Sequence, residues 1–221
     1  MSNRRSPLAL ATFAGLSLIA TTGCASRSVE LDFVPHAQFF STEAKQQPPL
    51  DPQVFVRDAT GTAGVGPQNI AHMAGFRNAL LSDPGSSAIY NAQGMPLDGF
   101  TLGSWLGAKG EVEIKSDDSG RATIEVELSG LRPNGVYTLF ENHFDQQPVG
   151  FTPLDGTGAA NSFVAGPNGK ARFELTAPHI PTHDNAVLLV YQSDGKSHGT
   201  ERGQIGVNAH HQLIARIPPR Q

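Results

Sequence analysis

The sequence predicts a mainly β protein: an antiparallel β-sandwich, immunoglobulin-like or jelly-roll-like, with one flanking α-helix. Three observations carry this. The 221 residues include 24 glycines and 16 prolines, a turn-rich composition that suits short strands better than a helical bundle. Beyond residue 97, apolar and polar residues alternate in segment after segment, the period of a half-buried strand. Turn signals recur about every ten residues, the spacing of sandwich strands.

The strands follow in order. In "EVEIK", Val112 and Ile114 share a face, and "SDDSG" turns the chain into "RATIEVEL", where Ile124, Val126 and Leu128 point inward. "RPNG" turns it again into "VYTLFE", with Pro and Asn-Gly supplying the turn backbone. "NSFVA", the turn "GPNG" and "KARFELTA" make a further hairpin. "AVLLVYQ" is apolar without interruption, the mark of a strand covered on both sides. "GQIGVNAHHQLIARI" closes the set. The sandwich domain is thus residues 97–221.

Residues 53–96 read as a lead-in that holds the helix. In "GPQNIAHMAGFRNALLSDPG", Ile70, Met73, Phe76, Leu80 and Leu81 recur at helical spacing. Pro67 suits the first turn, and Asp83-Pro84-Gly85 stops the run. Residues 24–52, with "STEAKQQPPLDP", read as a linker. As a flexible coil it would span roughly 30 Å. Inside it, "LDFVPHAQFF" is apolar enough to dock on the domain as an edge strand or to serve as a contact segment.

Residues 1–23 have another character. Arg4 and Arg5 precede the apolar run "PLALATFAGLSLIA" and the small residues of "TTGC", the order of a secretory signal. The apolar run is too short to span a bilayer comfortably. "TTGCAS" resembles the lipobox of bacterial lipoproteins in Gly23 and Cys24, with Thr21 where that family usually has Leu, Val or Ile. The resemblance covers the export signal alone. It implies a palmitate-bearing lipid on Cys24, cleavage before it, and a membrane partner reached through that lipid. Ala25, rather than Asp, implies sorting to the cell outer membrane, with the chain facing the periplasm or the surface. Without that resemblance, the stretch is an ordinary cleaved signal in which Cys24 is incidental. Cys24 is the only cysteine, which excludes an internal disulfide.

The formal charge is −4 with no basic stripe, which argues against nucleic-acid binding. Three of the eight histidines crowd "SHGTERGQIGVNAHH". Period two places His211 with Leu213, Ala215 and Ile217 toward the core, and His210 with Asn208, Gln212 and Arg216 outward. His143 follows a strand end beside Glu141 and Asp145. If His143, His198 and His210 or His211 converge, they would form an imidazole set suited to copper or zinc. The plain alternative is a core histidine with rim histidines satisfied by loop carbonyls. His179 and His183 stand four apart, but Pro178 and Pro181 deny them a helix. A hydrolase reading would use Glu141 and His143 with Asp194 or Glu201. Trp105 is either a core plug or a platform for a sugar or lipid. No H-x-H, H-E-x-x-H, G-x-S-x-G, P-loop or dinucleotide motif is present. The leading expectation is a lipid-anchored, non-enzymatic binding module for a small molecule, glycan or envelope protein, engaged through rim loops.

Overall fold

The computed structural model describes residues 28–219; the signal segment and Cys24 lie outside the described residues. The chain runs β1 (Ser28–Asp32), β2 (Val34–Pro35), α1 (His36–Glu43), β3 (Leu50–Arg57), β4 (Gly64–Val65), β5 (Ala71–His72), β6 (Phe76–Leu80), β7 (Ala88–Tyr90) and β8 (Pro96–Thr101). It continues through α2 (Leu102–Leu106), β9 (Lys109–Ser116), β10 (Ala122–Ser129), β11 (Val136–His143), β12 (Gly150–Pro153), β13 (Ser162–Val164), β14 (Ala171–Ala177), β15 (Asn185–Gln192) and β16 (Ala209–Arg216).

Three larger antiparallel sheets and a two-stranded one, β4-β5, result. The first has the order β1-β9-β10-β14; the second β12-β11-β15-β16-β2, with β13 also on β11; the third β6-β3-β7-β8. The first two face one another across a shared core. Val112, Ile124 and Val126 of the first sheet meet Tyr137, Leu139, Leu189 and Leu213 of the second. The third sheet closes one side of this core with Val54, Ile89 and Phe100. Alternation decides each inward set, as in β10, where Ala122, Ile124, Val126 and Leu128 are buried and the residues between them are not. β15 is buried along its whole length. Its Leu188 and Val190 belong to a second core, on the far side of the sheet, with Phe140, Ile214 and Phe39 of α1. The chain is therefore a β-sandwich plus one helix of more than two turns, with that helix covering the back of the central sheet.

The helix is not where periodicity puts it. Residues 67–81 form a single 3-10 turn, the two-residue strand β5 and the strand β6, which pairs with β3. Gly75 has φ +85°, and Gln68 and Asn69 also have positive φ, a backbone no α-helix accepts. Met73, on the expected apolar stripe, is 48% exposed. The true helix, α1, lies within the expected linker. Its buried residues are His36, Ala37 and Ser41; Ser41 Oγ both donates to Leu50 O (2.9 Å) and accepts from Leu50 N (3.0 Å). Residues 28–35 of the same stretch pair with β9 and β16, so "LDFVPHAQFF" does dock on the domain, and the lead-in 53–96 is the third sheet. Trp105 is a core plug. It is 2% exposed, and its Nε1 donates to Asp51 Oδ2 at 2.8 Å.

The outer face of the first sheet carries a row of like charges. Glu30, Glu113, Glu125 and Glu174 lie directly opposite one another across all four strands. Lys115 reaches Glu113 at 2.8 Å and Glu125 at 3.7 Å, and Arg172 pairs with Glu125 and Glu127. Like charges directly opposite cost stability, and Glu30 has no cation of its own among the described residues. Glu30→Lys should raise Tm by a few degrees in dilute buffer, with the gain shrinking in high salt as screening removes it. Thermal unfolding at two salt concentrations checks both halves of this expectation.

Candidate functional site

The expected alternation of the two adjacent histidines fails at one residue. Leu213 pairs with Leu189, but His211 pairs with Val190 and His210 with Tyr191. Gln212 is thus a bulge, and the parity of β16 inverts across it. Ala209 packs with Leu188 and Val190 behind the sheet rather than with Leu213. His210 therefore points into the sandwich, beside Trp105 and Tyr191. His211 points to the back, beside Phe151 and His36. The outward placing of His210 and the core placing of His211 are both reversed, and both rings are buried because β16 is covered on its two faces.

β3 satisfies the two histidines at the bulge, whereas Gln212 Oε1 is buried without a partner. Gln53 Oε1 accepts from the His211 amide (2.6 Å), and Gln53 O lies 3.2 Å from His210 Nδ1. Gln212 Nε2 donates to Trp105 O at 3.1 Å. Asp51 accepts from the amides of Gln53 and Val54 and from Trp105 Nε1. Burial pushes the Asp51 carboxyl up to about 6, against those hydrogen bonds. Burial likewise drives His210 down to about 4, and His211 well below the ordinary range. His36 falls to about 3, through burial and then the Arg202 charge.

Behind the sheet, His211 Nε2 lies 3.1 Å from Arg202 Nη1, and His211 Nδ1 lies 3.4 Å from His36 Nε2. The Arg202 guanidinium stacks on Phe151, its Cζ 3.3 Å from the ring centroid. Sequence reading missed His36, Arg202 and Phe151, because each belongs to a different segment and nothing local marks them.

A second polar cluster forms where β11 ends. Glu141 is 2% exposed, and its Oε1 has no partner. Its Oε2 receives His179 Nε2 at 2.8 Å and stands 3.9 Å from His143 Nε2. Burial raises the Glu141 pKa, and the two imidazoles oppose that rise. His143 is held by Thr152 Oγ1 (2.8 Å) and Asn185 Nδ2 (3.1 Å). His179 is half-exposed, whereas His183 turns to Asp184, so the two histidines of "HIPTH" do not face together.

The expected metal set does not assemble from these positions. His143 joins Glu141 and His179, while His198 pairs with Asp194 at 3.1 Å in the exposed β15–β16 loop. His210 and His211 lie on opposite faces of β16. Among the described residues, no group of three or more His, Cys, Asp or Glu is arranged to hold a metal ion. Of the hydrolase set, Glu141 and His143 are neighbours, but Asp194 hydrogen-bonds Asn208 and His198, and Glu201 is exposed.

The buried rings make stability acid-sensitive. A histidine whose folded pKa is depressed contributes stability above its unfolded value of 6.5, which is lost as pH falls through it toward the folded pKa. His36, His210 and His211 all act this way. Asp51 and Glu141, with raised folded pKa values, act in the opposite sense, Asp51 below about pH 6. Three groups against two leave a net uptake of protons on unfolding near pH 5, so stability falls as pH falls there. Thermal unfolding between pH 7 and pH 5 should show a steady fall in Tm; a flat profile would contradict the buried neutral histidines. Comparison of the chain with protein-family models, curated proteins and solved structures returned no match.

Proposed function

We propose that this chain is a lipid-anchored protein of the bacterial cell envelope, sorted to the outer membrane, whose folded body acts by non-covalent binding. The observation that carries the reading is the order of Arg4-Arg5, a short apolar run and Gly23-Cys24, set immediately before the folded body. β1 begins at Ser28, four positions past Cys24. Four extended residues reach about 14 Å, so a lipid on Cys24 would hold the sandwich against the bilayer rather than at the end of a long tether. Among the described residues, no helix is long and apolar enough to cross a membrane, so attachment in this reading rests on the lipid. Glu141 supports the binding role, since its buried Oε1 has no internal partner and lies one hydrogen bond behind the half-exposed His179.

A copper- or zinc-binding role draws on one specific observation: Nε2 of His179 and of His143 lie 2.8 Å and 3.9 Å from the same Glu141 oxygen, although the three groups as they stand are not arranged to hold a metal ion. Metal–nitrogen bonds near 2 Å place ligand atoms roughly 3 Å apart. The His179–Glu141 distance meets this, whereas His143 would have to leave Thr152 and Asn185. Elemental analysis of untagged protein loaded with copper or zinc should find a stoichiometric metal that His179→Ala removes. Absence of retained metal refutes this role.

Radioactive palmitate labelling with membrane fractionation tests the main reading. The wild-type chain should incorporate label and sediment with outer membranes, and Cys24→Ser should lose both properties. A Cys24→Ser product that stays membrane-attached with unchanged mass would overturn the anchor.

A further inference from the structure

Arg202 is a partly buried cation that forms no salt bridge; its nearest counter-charge, Glu201, acts only at a distance. It lies in the loop between β15 and β16, and no carboxylate among the described residues comes within ion-pair distance of its guanidinium. Among the described residues, its one side-chain hydrogen bond runs from Nη1 to His211 Nε2. Arginine only donates, so His211 Nε2 is the acceptor, and the neutral ring carries its proton on Nδ1. That proton faces His36 Nε2, which must accept it, leaving the His36 proton on Nδ1. His36 Nδ1 is buried and has no partner. The hydrogen bonds thus run one way, from Arg202 through His211 to His36. Neither imidazole can offset the charge, because each is neutral and each already accepts at Nε2.

The guanidinium is nevertheless held firmly. Phe151 covers one face, and His211 fixes one edge. Of the five N–H donors, the remaining four have no acceptor among the described residues. A planar fork fixed by stacking loses little freedom when a two-oxygen acceptor docks, and it matches carboxylate and phosphate geometry. Glu201, the nearest acid in sequence, is exposed; its charge favours the guanidinium from a distance but occupies none of its donors.

We propose that Arg202 is the receptor for a ligand oxyanion, a carboxylate or phosphate group, which takes the free donors of the guanidinium while Phe151 and His211 hold its other face and edge. The site goes beyond the envelope-anchoring reading and does not rest on it.

The test is titration of the full chain, with selectively ¹⁵N-labelled histidine, by sodium phosphate and by sodium acetate, at constant ionic strength set with chloride. The His211 ring resonances should shift saturably with at least one of the two anions, and which one binds identifies the oxyanion. Arg202→Gln should weaken this binding at least tenfold. Arg202→Lys should also weaken it, because an ammonium keeps the charge and loses the fork. Phe151→Leu should weaken it while leaving the charge in place. If Arg202→Gln fails to fold, the Lys and Leu variants decide. Shifts that never saturate with either anion, or saturation unchanged in the folded variants, would overturn the site. So would a His211 ring protonated on Nε2 in the anion-free protein.

Discussion

Gln212 is one residue more than β15 can pair, and that surplus governs how the three sheets meet. An extra residue in an antiparallel strand inverts the faces of everything beyond it. Without it, His211 would enter the sandwich beside Leu213, and His210 would turn to the back. With it, His210 meets Trp105 and Tyr191, and His211 meets Phe151, His36 and Arg202. A bulge inside a sheet covered on both faces also brings buried polar groups, and each needs a partner. β3 supplies those of the two histidines through Gln53, leaving Gln212 Oε1 unpartnered, and is itself tied to α2 through Asp51 and Trp105. The third sheet is therefore joined to the second by hydrogen bonds as well as by apolar packing.

The same arrangement concentrates the unusual electrostatics in one place. Three neutral imidazoles and a carboxylate are withdrawn from water around a single strand, with a partly buried guanidinium beside it. Hydrogen bonds to buried groups are worth most where no water competes, which makes the seam directional but intolerant of protonation. α1 matters here because it delivers His36 to the back of β16. A segment with the composition of a linker is thus part of the fold that shapes the site.

Much of the sandwich was legible because its hairpins are local. β9 and β10 alternate cleanly around a Gly turn, and β15 announces double coverage by its unbroken run Ala186–Val190. α1 was not legible, because its buried face is His36, Ala37 and Ser41, with no apolar stripe to detect. β6 was misread because Phe76 and Leu80 fit a helical period by coincidence; Gly75 in a left-handed conformation decided against the helix. Trp105 and Glu141 could be singled out by residue type. The pairing of Arg202 with Phe151, or of His179 with Glu141, could not be, since these are tertiary contacts between distant segments. The bulge left one faint signal, a Gln amid the apolar residues of β16.

The most direct test of this account is the set of proton–proton NOEs from the two adjacent histidine rings in the wild-type protein. The bulge predicts contacts from His210 to Trp105 and Tyr191, and from His211 to Phe151 and His36. The reverse assignment, with His211 touching Trp105 and His210 facing Phe151, would mean that β16 is regular. The polar seam described above would then be wrong.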